Sequence, residues 1–221
     1  MDARIQPPAG DKDMPRAVAG LKRELQRRGI DCVYCADGGA ARAFLLSRIP
    51  AGATVMNGGS TTLEQIGFLS ALESGPYEWL RPRVAGIADP GERIRARRRA
   101  GTADYFVGGI NAITASGEIL NADGGGNRVA AYAYGAGRLF LVAGVNKIVP
   151  DLAAAFERLR NRAAVEECRH LSADTPCART GRCDNDACRG ADRQCGKVLI
   201  IENERIAGRI CVVMIGEELG Y

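Results

Sequence analysis

The sequence predicts an α/β fold: one layer of mostly parallel strands flanked by helices, with an antiparallel hairpin at the C-terminus. Three observations predict it. Short apolar runs rich in Val, Ile, Tyr and Phe alternate with helical patterns along the chain. Polar, glycine-bearing loops follow the runs that end near Met56, Val107 and Ala143, as binding loops follow strand ends in open α/β sheets. Hydrophobic residues are 46% and charged residues 25% of the 221 positions, enough for one substantial core.

Residues 1–13 are polar and proline-bearing and are expected to be loose. They hold no apolar signal core, so secretion is not indicated. Pro15 opens a helix in which Ala17, Leu21 and Leu25 recur at fourfold spacing, and Gly29 closes it. Asp31 to Cys35 reads as a strand. Its Cys32 and Cys35 are spaced like a redox or zinc pair, but residues three apart in a strand point to opposite faces, which favours packing cysteines. Asp37 to Ile49 is helical, closed by Pro50 and Gly52.

Ala53 to Met56 is a second strand, followed by Asn57-Gly58-Gly59-Ser60-Thr61-Thr62 and a helix from Leu63 to Leu69. A Gly-Gly-Ser-Thr loop opening a helix suits a phosphate or carboxylate, with hydroxyls and amides as donors. The capping box Thr61-x-x-Glu64 explains the same residues without a ligand, and the two explanations are compatible. No Gly-Lys-Ser/Thr is present, so this is not a Walker loop. Residues 76–83, around the single Trp79, read as an irregular connection. Asp89 and Pro90 start a helix to Ala100 that carries Arg93, Arg95, Arg97, Arg98 and Arg99. Such a run is usually a solvated face; without interleaved aromatics it does not indicate nucleic acid.

The rest of the chain is organised around residues 103–150. Tyr105-Phe106-Val107 ends at Gly108-Gly109, and a hairpin-like pair, 112–114 and 118–120, turns through Ser116-Gly117. Asn121, Asp123 and Gly124 to Gly126 precede an Ala-rich helix starting at Asn127. A second apolar run, Leu139 to Ala143, ends at Gly144 with Asn146 and Lys147 beyond it. Glycines let a backbone approach a ligand, and a helix start offers N–H groups to an anion. The ligand-binding residues expected from these loops are Asn57, Gly58, Gly59, Ser60, Thr61, Thr62, Gly109, Asn111, Gly124, Asn127 and Lys147. They should converge in space around a small anionic ligand. Glu118 and Asp123 are the expected acid–base groups if the chain is an enzyme, though both also suit hydrogen-bonding turns. Gly124-Gly125-Gly126 lacks the G-x-G-x-x-G spacing of nicotinamide and flavin folds.

Pro150 and Asp151 start a helix through Leu152, Ala155, Phe156, Leu159 and Ala163, with Cys168 and the lone His170 near its end. One histidine makes no catalytic triad. Residues 175–196 are a cysteine-rich insertion within one domain spanning 1–221. Cys177, Cys183, Cys188 and Cys195 are separated there by five, four and six positions, in a loop with little apolar content. Thiolates are soft ligands, and four can close one zinc or iron–sulfur site that holds such a loop. Cys168 and His170 are substitute ligands, and free thiols or two disulfides are the alternative. The apolar runs Val198 to Ile201 and Ile210 to Ile215 then read as the antiparallel pair.

The net charge of +4 favours no partner class. No apolar run is long enough to span a membrane, so a cytoplasmic protein is expected, where eight cysteines stay reduced, buried or metal-bound.

The stretch GGINAITASGEILNADGGGNRVAAYAYG with VAGVNKIVPDL resembles the lactate-utilisation (LUD-domain) family, as do MNGGSTTLEQIG and the ending GRICVVMIGEELGY. The resemblance implies a fold similar to sugar-phosphate isomerases and coenzyme-A transferases. It also implies a role in oxidising lactate to pyruvate beside iron–sulfur partner proteins, which adds weight to an iron–sulfur cluster over zinc. Family relatives tend to hold the two middle cysteines closer than Cys183 and Cys188 stand here. The segment 109–113 resembles the Gly-Ala-Asp-x-Ile of related isomerases, but Asn111 replaces their aspartate, and an amide cannot move protons at neutral pH. A free-standing isomerase-like enzyme and a structural subunit with a vestigial pocket are therefore the rival readings, and whether the chain is itself an enzyme stays open.

Overall fold

The computed structural model describes residues 14–221; the expectations for residues 1–13 lie outside the described residues. The first helix, α1 (Arg16–Arg27), buries Val18, Leu21 and Leu25 along one side. Strand β1 (Asp31–Cys35), helix α2 (Gly38–Arg48) and strand β2 (Thr54–Asn57) follow, and Asp37 caps α2 by accepting from the Ala40 N–H at 2.8 Å. Next come α3 (Thr61–Gln65), α4 (Phe68–Ser74), β3 (Glu78–Trp79), α5 (Leu80–Ala85) and α6 (Pro90–Ala100). Residues 76–83 are thus not irregular. Glu78 and Trp79 extend the sheet by pairing parallel with Thr54 and Val55, and the next residues form α5. The cap of α3 is Ser60, accepting from the Leu63 N–H at 3.4 Å, one residue before the expected Thr61.

Then β4 (Tyr105–Gly109), β5 (Ala112–Thr114) and β6 (Ile119–Asp123) lead into α7 (Asn127–Ala130), which continues as a π-helical turn over Ala131–Gly135. Strand β7 (Arg138–Gly144), a 3-10 turn at Val145–Lys147 and β8 (Ile148–Val149) precede α8 (Leu152–Arg158). A π turn joins α8 to α9 (Ala164–His170), followed by α10 (Pro176–Thr180), β9 (Lys197–Ile201) and β10 (Ile210–Ile215).

Six strands form a wholly parallel sheet in the order β1-β10-β7-β4-β2-β3. Helices cover it: α1 and α6 pack toward one face, and α2, α3 and α4 toward the other. Strand β10 is buried at every residue, with Ile210, Val212 and Met214 on one face and Cys211, Val213 and Ile215 on the other. That two-sided burial is what a continuous apolar run in a parallel sheet provides for. Cys32 and Cys35 likewise go to opposite faces of β1.

A second sheet, ordered β8-β5-β6-β9, is mixed. The hairpin β5–β6 is antiparallel, and Gly117 in its turn has φ 97°, a left-handed conformation that glycine adopts without strain. The expected C-terminal hairpin does not form. Strand β9 pairs antiparallel with β6 in the small sheet, whereas β10 enters the large sheet between β1 and β7. The fully buried β10 satisfies both faces only at the centre of the large sheet.

Candidate functional site

All strands of the large sheet run parallel, so β2, β4, β7 and β10 deliver their following segments to one edge. The segment after β2 meets the segments after β4 and β6 there. A methyl group placed on Gly109 would lie 2.9 Å from Ser60 Oγ, and one on Gly58 would lie 2.7 Å from Arg128 Cδ. Glycine at these two positions is what lets the loops touch. Between them lies a cavity of about 170 Å³. Of the residues expected from the sequence, 58–62, Gly109, Asn111, Asp123, Gly124, Asn127 and Lys147 line it.

Asn57 is not among the lining residues. It is buried, its Oδ1 accepts from Trp79 Nε1 at 2.7 Å, and its Nδ2 donates to the Gly58 carbonyl at 3.0 Å. It shapes the loop from behind. Asn111 uses its Oδ1 to accept from the Ala122 N–H at 2.8 Å. Asp123 accepts from the N–H groups of Gly125 at 3.2 Å and Arg128 at 2.8 Å, so its carboxylate braces the turn into α7. Tyr132, fully buried under this loop, donates its hydroxyl to the Gly109 carbonyl at 3.0 Å.

Lys147 is 2% exposed, and its Nζ donates to the Tyr221 backbone oxygen. Among the described residues no Asp or Glu side chain forms an ion pair with it, and its oxygen partner is on Tyr221, the last residue of the sequence. Burial, and then the charges of Arg158 and Arg162, push its pKa down to about 7. Arg158 fixes the surroundings by donating to the carbonyls of Asn111 at 2.7 Å and Asn146 at 3.1 Å. Its guanidinium is also pushed below its ordinary value by burial and by Arg162.

Glu118 lies elsewhere. It sits at the β5–β6 turn, where Arg28 Nη2 reaches its Oε1 at 2.6 Å and the hydroxyls of Thr114 and Ser116 donate to its Oε2. Burial pushes its pKa up, but these hydrogen bonds and the Arg28 charge outweigh that and hold it at about 2. It is a hairpin brace and not part of the cavity.

Sequence reasoning missed several cavity residues. Arg128 donates to the Ala122 carbonyl at 2.5 Å and lies over the Tyr132 ring at 5.9 Å. Its place directly after Asn127 was the available signal. Glu167 on α9 accepts from the Tyr221 hydroxyl at 2.6 Å, which closes the tail over the cavity. Nothing local in the sequence marks that pair, since 54 positions separate its members.

The insertion forms the remaining wall. Gln194 and Cys195 line the cavity, and a methyl on Gly124 would lie 3.0 Å from Gln194 Oε1. All eight cysteines are free. Burial raises the Cys183 thiol, followed by the nearby Cys195, Cys177 and Cys188, and Cys188 is raised by burial and in turn feels Cys195 and Cys177. Cys183 and Cys188 thus lie within electrostatic reach of the other two expected thiols. Among the described residues, however, no three His, Cys, Asp or Glu side chains close into a metal-binding group. Of the substitute ligands, Cys168 is buried beside Cys177, and His170 is exposed.

The LUD domain model matches residues 18–215, and the chain belongs to the LUD-domain family. A solved structure of a DUF162 family protein from Deinococcus radiodurans is similar in fold, with TM-score 0.50 and 12% identity. The match covers 90% of this chain and 96% of that one. No curated protein matches. Family membership ties the chain to lactate utilisation in general terms. Among the described residues no helix is long and apolar enough to cross a membrane.

Because Glu118 has its pKa lowered on folding, it stabilises the fold fully above its unfolded pKa, near 4.5, and that contribution is lost as pH falls toward about 2. Glu118→Gln is expected to lower the melting temperature at pH 7, with the difference from wild type shrinking below pH 4.5. It should leave ligand binding in the cavity unchanged. Thermal melts across pH check this; an equal difference at pH 7 and pH 2.5 contradicts it.

Proposed function

We propose that the chain is a lactate-utilisation protein that binds a small anionic carboxylate or phosphate compound between residues 58–62 and 109–127. The observation that carries this reading is Lys147: a buried amine in a cavity, with arginines behind it and no Asp or Glu side chain paired to it. Cations crowded together in low dielectric are costly, and an anionic ligand offsets that cost. Arg128 and the Ser60, Thr61 and Thr62 hydroxyls line the same space and supply further donors. The cavity measures about 170 Å³. That volume suits a compact metabolite and is below the usual range for larger ligands.

The free-standing isomerase reading draws less support. Asn111 cannot transfer protons, Glu118 is away from the cavity, and Asp123 is engaged with backbone N–H groups. Asp123 and Glu167 are the cavity carboxylates left for acid–base work. A cytoplasmic location beside iron–sulfur partner proteins accords with the family and with eight free cysteines.

A second reading concerns Cys177, Cys183, Cys188 and Cys195, favoured by the influence of Cys177 and Cys195 on the Cys183 and Cys188 thiols. We propose that they hold one zinc ion or iron–sulfur cluster once the loop closes around it. An iron–sulfur cluster there would supply one-electron transfer, whereas zinc would supply only a crosslink. Metal binding would also replace the raised thiols by thiolates.

Trp79 bonds to Asn57 beside the binding loop, so its fluorescence should report ligand. Titration with propionate or inorganic phosphate is expected to saturate, with affinity falling as pH rises through 7 and Lys147 loses its charge. Lys147→Met should weaken binding about tenfold to a hundredfold, the worth of a hydrogen bond to a charged group, and abolish that pH dependence. No saturable change with any small anion contradicts the reading. For the second reading, protein purified without oxygen should carry stoichiometric zinc, or iron with sulfide, and lose it in Cys183→Ser. Metal-free protein contradicts it.

A further inference from the structure

We propose that Gly220 and Tyr221 are an internal occupant of the anion site, so that a small anion binds only when this tip of the tail swings out. The inference concerns the regulation of the site in the anion-binding reading and rests on that reading.

Donors assigned to the ligand are already engaged by the tail. Lys147 Nζ donates to a main-chain oxygen of Tyr221, and that oxygen accepts whether it is a carbonyl or a carboxylate. The Tyr221 hydroxyl donates to Glu167 Oε2 at 2.6 Å, and the Thr61 side chain reaches the same hydroxyl. Gly220 lies between the amine and the hydroxyl loop. A methyl group on it would stand 2.5 Å from Thr62 Oγ1, 3.3 Å from the Thr62 backbone nitrogen and 3.4 Å from Lys147 Nζ. Both tip residues line the cavity. They sit where a carboxylate or phosphate would have to reach Lys147 and Thr62 together.

The tail is fastened firmly at its base and lightly at its tip. At the base, Gly216 N–H donates to the Cys35 carbonyl at 2.9 Å and Val145 N–H to the Glu217 carbonyl at 3.1 Å. Gly38 N–H donates to the Glu217 carboxylate at 2.8 Å, and Leu219 packs against the core. The tip is held by side-chain hydrogen bonds. Gln65 Oε1 accepts from Gly220 N–H at 2.7 Å, and Asn146 Nδ2 donates to the Gly220 carbonyl at 3.3 Å. Lys147 and Glu167 hold Tyr221. Such bonds exchange for bonds to water at small net cost, unlike the apolar burial of Leu219. Gly220 has φ 60°, in the left-handed region that glycine enters without strain, and it is the pivot. Opening there releases the amine and the Thr61 and Thr62 hydroxyls while the base stays docked.

An anion and the tip compete for the same space. The apparent affinity is then the intrinsic affinity scaled by the fraction of molecules with the tip open. Loosening the tip without removing Lys147 or the loop hydroxyls therefore tightens binding. A tip that is only a wall of the site would behave in the opposite way, because loosening a wall removes ligand contacts.

The test uses two variants of the full chain. Tyr221→Phe removes the hydroxyl held by Glu167, and Gln65→Ala removes the clip on Gly220 from outside the cavity. Propionate and inorganic phosphate are titrated by Trp79 fluorescence, and amide exchange at Gly220 and Tyr221 is followed by NMR. The expected result is tighter binding, about tenfold in Tyr221→Phe and about fivefold in Gln65→Ala, the worth of a hydrogen bond to a charged group and of a neutral one. Saturating propionate should speed exchange at both amides of the wild type. Saturable binding that is unchanged or weaker in either variant, or exchange slowed by propionate, overturns the inference and leaves the anion site standing with the tail as its wall. Absence of saturation in all three proteins removes the inference together with the reading beneath it.

Discussion

The carboxyl edge of the large sheet depends on how one buried amine is accommodated. Lys147 follows β7 on a 3-10 turn that leaves its Nζ inside the molecule, against the positive charges of Arg158 and Arg162. Burying like charges together without a side-chain counter-ion is unfavourable. The surrounding backbone offsets part of that cost with carbonyl oxygens. Tyr221 faces the lysine, while Asn111 and Asn146 face Arg158. Those same carbonyls belong to the loops and tail that form the cavity. The cations and the cavity walls thus hold each other in place, and the remaining electrostatic deficit is what a small anion would meet.

The sheet makes this possible through its register. Gly109 at the end of β4 pairs beside Val142, and Gly144 at the end of β7 pairs beside Ile215. Strand ends in step bring three connections and the tail to one level. At that level side chains would keep the loops apart, so glycine stands at the contacts: Gly58 against Arg128, Gly109 against Ser60, and Gly144 against the backbone of Glu217 and Leu219. The register of the parallel sheet and the small residues at its rim therefore act together on the site.

Much of this was legible in the sequence because it is locally encoded. Alternating apolar runs and helical periods give the α/β class, and of the thirteen loop residues expected at the site from the polar, Gly-rich strand ends, all but Asn57 and Glu118 line the cavity. Asn57 and Glu118 show why the rest was not. Both are polar residues beside glycines, yet Asn57 is taken up by Trp79 and Glu118 by Arg28, partners 22 and 90 positions away. The same limit hid the Glu167–Tyr221 contact. The C-terminal strands failed for a related reason: adjacency in sequence suggests a hairpin, but pairing is decided by which sheet can bury each face. The unbroken run Ile210–Ile215 needs two covered faces and goes to the centre, while β9, exposed at Lys197 and Val198, goes to an edge. The cysteines show a third case, in which residue type and proximity are legible but closure of a ligand set is not.

The central claim is that Lys147 is a buried amine without a side-chain counter-ion at the heart of an anion site. The direct test is its own titration, followed by NMR of protein labelled with carbon-13 at the lysine ε position and assigned by loss of the signal in Lys147→Met. The account requires an inflection near pH 7, moving upward when a small carboxylate is bound. An inflection near the ordinary lysine value of about 10.4, unmoved by ligand, would contradict it.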